Sequence, residues 1–418
     1  MRIVLAALSF ALSFAVAPGG EALGQATSPV PPASDSIKLL KMPMVFYVAR
    51  GEPDICGPGC NEWIAAEGEF DAGAVARFRA FLVKTRAAKL PIYIHSSGGL
   101  TERASDIGRF IRHRGMTVGV SKTVPEECKV LDEKSCNALK RSGKTLIAEL
   151  SPLGACASAC VYVLAAGKIR QVPPGARVGV HLSQTVRLHA DGRITVAPKA
   201  SQVKIGANDA RQRKYLSEMG VDSRLMDIAS KIPHESVYFL SRDEIANLRI
   251  DAREFQETGW IVMPSKPISV RKFFVEAKGP ERKEFRLGVV GLSCSIAGHT
   301  QLIYLRGLAS NEGGRAQAVG LVVDGKEIPL AGVLSATTLN SLDAGVSFDR
   351  WGTLYAEEFL KQVAKAENFA IAVGAVGRPL QTAGATQLST AGLSRAVATM
   401  REKCGGAAVY SGAAAPKP

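Results

Sequence analysis

The sequence is poor in aromatic residues, which make up 6% of its 418 positions. The bases behind its formal charge of +14 are scattered and form no stripe. A nucleic-acid surface interleaves cations with stacking rings, and no such platform is visible, so no nucleic acid is expected as a partner. The basic balance fits contact with anionic membrane or cell-wall surfaces instead. The chain contains no C-x-x-C pair and no histidines spaced to complete a zinc site, so no metal is expected. Ser142-Gly143-Lys144-Thr145 has the ending of a phosphate loop, but Ala138 stands where its first glycine belongs, which excludes it. No internal repeat is found. Beyond the N-terminus there is no apolar run of the roughly 20 residues that a spanning helix needs.

What the chain does carry begins at Arg2, which is followed by an apolar and small-residue run from Ile3 to Val16. A Pro-Gly-Gly break and then Gly24-Gln25-Ala26 complete the pattern of a secretory signal cleaved after Ala26. The alternative is a membrane anchor, for which the run is short. No cysteine follows the run, which argues against a lipoprotein. The expected location is periplasmic or secreted, with a soluble mature chain. Cleavage removes one base, Arg2, and one acid, Glu21, so the charge stays at +14.

All eight cysteines lie beyond the cleavage point, where disulfides can persist. Cys56 and Cys60 bracket a tight Gly-Pro-Gly turn, and Cys128 and Cys136 a charged loop. Cys156 and Cys160 lie in an apolar segment, as a disulfide or as buried thiols. Connectivity among these six stays open. Cys294 and Cys404 are the only cysteines of the second half and are expected to pair.

Hydrophobic periodicity sets out the organisation. A flexible lead over 27–42 precedes strands at 44–48 and 63–68. Asp71 is placed to cap a helix with Val75, Phe78 and Leu82 on one face. A strand at 91–95 ends in the turn Ser96-Ser97-Gly98-Gly99, and a helix from Thr101 presents Ala104, Ile107 and Ile111. Another strand covers 116–120, an insertion 122–150, a buried helix 157–166 and a strand 176–181. This alternation argues an α/β core with largely parallel pairing. Residues 186–196 read as a hairpin turning at Asp191-Gly192, and helices follow at 201–219, 222–230 and 242–247. The pattern changes near 264–267. Residues 43–262 are expected to form one domain, and 268–406 a smaller β-rich domain closed by a helix carrying Leu393, Val397 and Met400. Residues 407–418 are expected to form a disordered tail.

Three features carry candidate chemistry. Ser158 stands among small residues at the expected start of a buried helix, where the backbone N–H of Ala159 faces a developing oxyanion. The plain alternative is a helix cap. Gly98 and Gly99 permit positive φ and expose N–H groups to a carbonyl oxygen; otherwise they form an ordinary turn. His181 ends a strand, where a lone histidine serves structure as readily as catalysis.

Order and spacing join the three. Ile92 to Gly99 resembles the strand and Asn-Ser-Pro-Gly-Gly turn of the Clp protease proteolytic subunit. Gly154 to Leu164, with Ala165-Ala166-Gly167, resembles that family's Gly-x-Ala-x-Ser helix. Pro173 to His181 is similar to the segment ending in its catalytic histidine. With Cys-x-Ser-Ala-Cys and a secretory signal, the chain looks most like periplasmic members of the Clp/crotonase-like superfamily, related to signal peptide peptidases, over roughly residues 43–260. The resemblance implies an α/β fold, a spiral of ββα units. It assigns Ser158 as nucleophile, His181 as general base and the N–H groups of Gly99 and Ala159 as oxyanion hole, an activated pair suited to acyl transfer.

The sequence departs from that pattern. His95 and Ser97 stand where the family more often has Asn and Pro, and Val237 takes the place of its aspartate. Glu235 and Asp243 are near in sequence, and Glu235 is the first candidate for a substitute carboxylate. Lys204 matches the lysine base of the signal peptide peptidases only loosely. The expected function is a serine peptidase-like hydrolase acting on peptides, without cofactor and as a homo-oligomer. The alternatives are a degenerate binding or assembly module, and acyl-CoA chemistry, against which export argues. The hairpin 186–196 is expected beside His181 as a flap or subunit contact.

Overall fold

The computed structural model describes residues 42–405, apart from 54, 58, 185, 190–193, 197–202, 264–267, 279–283, 295–298, 308–316, 331–336, 339–346 and 376–379. The expected leader 1–26 and tail 407–418 lie outside these residues, as does all but the last residue of the lead 27–42.

The described chain opens with β1 (Val45–Arg50), β2 (Glu62–Phe70), α1 (Ala74–Thr85), β3 (Ile92–Gly99) and α2 (Thr101–His113). Side chains alternate across a strand, and these strands are apolar on both faces. Ile64, Ala66, Ile92 and Ile94 meet Phe78 of α1 and Ile107 and Ile111 of α2. Tyr47, Ala49, Trp63, Ala65 and Tyr93 pack on the opposite face against Leu146 and Ala148. Asp71 lies just outside α1: its carboxylate accepts the Gly73 N–H at 2.8 Å and pairs with Arg77, fixing the turn that leads in.

The chain continues through β4 (Thr117–Val120), β5 (Lys122–Pro125), α3 (Glu133–Lys140), β6 (Leu146–Ser151), β7 (Ala155–Ala157), α4 (Cys160–Ala166), β8 (Ile169–Gln171) and β9 (Arg177–Val180). Then come β10 (Val186–Leu188), β11 (Ile194–Val196), α5 (Val203–Glu218), α6 (Leu225–Ala229), β12 (Tyr238–Phe239) and α7 (Arg242–Asn247). The main sheet runs β12-β9-β7-β3-β2-β1-β6-β5, with β4 attached at β3 and β8 paired to β4. Segment 122–150 is built into this sheet, because β6 runs parallel to β1 and antiparallel to β5. β3 is parallel to β2 on one side and forks on the other. Its Ile92–Ile94 pair with β4, and its Ser96 pairs with Cys156 of β7. β7 is in turn parallel to β9.

A second, antiparallel region begins at β13 (Phe255–Glu257) and β14 (Ile261–Met263), both paired with β15 (Ser269–Lys278). It continues with β16 (Glu284–Cys294), β17 (His299–Gly307), β18 (Gln317–Val323), β19 (Lys326–Leu330), β20 (Thr337–Thr338) and β21 (Ser347–Ala356). It ends with α8 (Glu357–Ala364), β22 (Phe369–Ala375), β23 (Gln381–Leu388) and α9 (Leu393–Gly405). Phe274, Tyr304 and Trp351 of one sheet share a core with Leu321, Ile371 and the Val397 face of α9. The molecule is thus a mixed α/β protein with several sheets.

Every cysteine is bonded: Cys56–Cys60, Cys128–Cys136, Cys156–Cys160 and Cys294–Cys404. The Cys294–Cys404 bridge, with its Cα atoms 6.2 Å apart, ties the end of β16 to α9. Four disulfides fit an oxidising compartment. Among the described residues no helix is long and apolar enough to cross a membrane.

Candidate active site

Ser158 does not start a helix. β7 ends at Ala157 and α4 begins at Cys160, leaving Ser158 on the elbow between them. Its φ is +56°, the left-handed region that a non-glycine residue enters at a cost of about 1–2 kcal/mol. The surroundings hold it there. The Ser158 N–H donates to Gly179 O at 2.9 Å, and Ser158 O accepts from Val161 N–H at 3.1 Å. Cys156 and Cys160, two residues to either side, are bonded and fully buried. With only seven residues in α4, the elbow rather than a helix dipole sets the serine apart.

The glycine pair follows from β3. The strand does not end before these residues: Gly98 and Gly99 stay in the ladder opposite Glu69 and Phe70, at φ +117° and +123°. A Cβ on Gly98 would lie 2.6 Å from Ser158 Cβ and 3.1 Å from the Ala159 nitrogen. Glycine is therefore what lets β3 pass beside the elbow. The Gly98 N–H is held by Ser96 Oγ at 3.1 Å, and Ser96 Oγ donates to Gly68 O at 2.6 Å.

His95 belongs to the same scaffold. Its Nδ1 accepts the Ala155 N–H at 3.0 Å, so it braces the start of β7. Burial, aided by the charge of Lys122, pushes its pKa down to about 4.

His181 follows β9. Because Ala157 is in register with Gly179, the serine and the histidine leave the C-terminal ends of adjacent parallel strands, about 4.8 Å apart sideways. Both line one small cavity of about 20 Å³, with Ser183 beside them. No direct hydrogen bond joins the two side chains, and the buried His181 Nδ1 has no hydrogen-bond partner among the described residues. Its ring lies 4.7 Å from that of His234, tilted 57°. Burial first, and His234 second, hold its pKa below the usual histidine range, while the Leu182 backbone and Glu235 act in the opposite sense.

Behind the histidine, β12 pairs antiparallel with β9, Tyr238 opposite Val180. One residue further along that register, Val237 comes opposite His181. Glu235 is exposed and reaches His181 through its charge alone. Asp243 is turned elsewhere, accepting the Phe285 N–H at 2.7 Å. The side chain of Lys204 lies outside the described residues, as does the turn at Asp191-Gly192, although β10 and β11 do pair as a hairpin. Sequence reasoning missed His234, which no motif marked, and Arg242. The Arg242 guanidinium donates to Val172 O, Pro173 O and Ala176 O at 3.0, 2.6 and 2.9 Å, holding the loop that feeds β9.

A larger open cleft of about 380 Å³ lies elsewhere, lined by Lys84, Arg86 and Lys89 among others, and its wall carries no serine or histidine. Among the described residues no group of acidic, histidine or cysteine side chains is placed to hold a metal ion.

No protein-family model matches the chain, and no curated protein matches it. Among solved structures it is similar to the 1510-N membrane-bound stomatin-specific protease, in a serine-to-alanine mutant, at 14% identity and TM-score 0.27, over 49% of this chain and 76% of that one. A lysine-to-alanine mutant of that protease, in complex with a substrate peptide, gives 15% identity and TM-score 0.25 over 42% of this chain and 65% of the other. A likeness at this level fixes neither the fold nor the chemistry of this chain.

Proposed function

We propose that the protein is an exported serine hydrolase acting on peptides, with Ser158 as nucleophile and His181 as general base. The observation that carries the reading is the elbow: a left-handed serine, pressed against a glycine backbone, sharing a cavity wall with a histidine. Each element alone has a structural explanation; their convergence from three distant segments is what acyl transfer needs. His181 takes the Ser158 hydroxyl proton as Oγ attacks the carbonyl carbon. The N–H groups of Ala159 and Gly99 stabilise the oxyanion. Collapse breaks the C–N bond, and the histidine returns the proton to the leaving amine. Water then hydrolyses the acyl-enzyme by the same route. The lowered pKa favours the neutral imidazole, the form able to accept the serine proton.

The forked β3 and the parallel β3-β7-β9 set support a Clp/crotonase-like spiral for residues 43–262, followed by the β-rich domain. The four disulfides fit a periplasmic or secreted site of action, as the leader expected at 1–26 would require. The β10–β11 hairpin, which follows His181 directly, is proposed to flank the bound peptide or a neighbouring copy. A second reading, a degenerate binding module, is favoured by one observation: among the described residues the His181 Nδ1 has no hydrogen-bond partner to orient the ring. Labelling by a fluorophosphonate separates the two. The hydrolase reading expects an adduct mapped to Ser158 by peptide mass spectrometry and lost in Ser158→Ala and His181→Ala; a folded protein that takes no label leaves the binding module.

A further inference from the structure

The cavity beside Ser158 says what it will accept. Ser158, His181 and Ser183 form its polar edge, and the rest of its wall is made by Val161 and Tyr162 of α4, Val180 of β9, and Leu225, Met226 and Ala229 of α6. Its volume is about 20 Å³. A single water needs roughly 10–15 Å³, so the space is on the scale of a small side chain such as a methyl or hydroxymethyl group. The wall is fixed from behind. The Tyr162 hydroxyl donates to Met226 Sδ at 3.5 Å, and Tyr162 O accepts the Tyr215 hydroxyl at 2.9 Å. Met226 and Leu225 are themselves buried. Enlarging the cavity therefore means breaking packed contacts, not swinging a free side chain.

We infer that this cavity receives the side chain on the acyl side of the scissile bond, and that the protein is selective for small residues there: glycine, alanine or serine. The inference rests on the hydrolase reading, since it takes Ser158 as the attacking group. Met226 is the specificity-determining residue, because its buried thioether side chain lines the cavity and is held there by the Tyr162 hydroxyl. A hydrophobic site discriminates by roughly 10–200-fold for one misfitting methylene. Alanine is therefore expected to exceed leucine and phenylalanine by at least about tenfold.

The test uses the full mature chain and a set of aminoalkyl diphenyl phosphonates bearing alanine, leucine or phenylalanine side chains, with the rate of Ser158 modification as readout. A plain fluorophosphonate runs in parallel. The expected result is fastest modification by the alanine reagent in the wild type, and a shift of at least about tenfold toward leucine in Met226→Ala. Ala229→Val, which narrows the cavity, should slow the alanine reagent and serves if Met226→Ala does not fold. Equal or faster modification by the leucine reagent in the wild type overturns the inference, as does fluorophosphonate labelling with no response to any of the three. If even the fluorophosphonate leaves Ser158 untouched, the hydrolase reading fails and this inference falls with it.

Discussion

Gly98→Ala separates a glycine needed for its backbone angle from one needed for the space beside Ser158. At φ +117° an alanine is strained, by about 1–3 kcal/mol. The new methyl would also sit 2.6 Å from Ser158 Cβ and 2.9 Å from Ala157 O, where carbon atoms prefer roughly 3.5–4.0 Å. Ala157 and Ser158 are anchored to β9, so relief requires β3 or the elbow to move by about 1 Å, a misplacement that costs on the order of 100-fold in rate. Gly115→Ala is the control. Gly115 also has positive φ, +65°, but a methyl there meets nothing within 4 Å, so it carries only the backbone term of about 1–2 kcal/mol. The assay is the second-order rate of fluorophosphonate labelling beside the urea midpoint. Gly98→Ala should lose about 100-fold in labelling and more stability than Gly115→Ala, which should label at the wild-type rate. Equal labelling by both variants would refute the proposed closeness of β3 to the nucleophile.

Replacing both Cys156 and Cys160 by alanine should free the elbow: labelling of Ser158 drops by more than about tenfold, and stability falls by roughly 2 kcal/mol for so short a loop. Unchanged labelling would mean that the bridge does not hold the serine. For His95, the folded-state pKa of about 4 lies below the ordinary 6.5, so the unfolded chain binds more protons in between. Its contribution is present above pH 6.5 and lost as pH falls toward about 4, on the order of 3 kcal/mol in all. His95→Asn keeps an acceptor for the Ala155 N–H and removes the titration, so its urea midpoint should decline less steeply over that window; parallel declines would contradict the assignment. His181 is held below its usual range in the same sense, so labelling should persist at pH 6.5 and fall only on further acidification.

The strand and helix periods of residues 44–120 were legible because apolar residues there serve two opposed cores, Tyr47 and Trp63 on one side, Ile64 and Phe78 on the other. The elbow was not. From sequence, Ala157 to Ala166 is one apolar stretch that reads as a helix, and nothing local reveals that β9 captures Ser158 N–H and takes Ala157 into a strand. The same blindness to long-range pairing made Gly98 and Gly99 look like a turn and 122–150 like an insertion. The Cys156–Cys160 bond is not fixed by sequence, because the spacing alone suits both a strand–helix bridge and one helix face. His234 reaches His181 only through the fold, so no motif announced it.

A structure of the fluorophosphonate adduct decides whether Ser158, Ala159, Gly99 and His181 work as one site. Phosphorus should be bonded to Ser158 Oγ, with one phosphonyl oxygen within about 2.7–3.1 Å of both the Ala159 and Gly99 nitrogens and the His181 ring within hydrogen-bond reach of the adduct. An adduct on another residue, or a phosphonyl oxygen turned away from those two N–H groups with His181 out of reach, would contradict it.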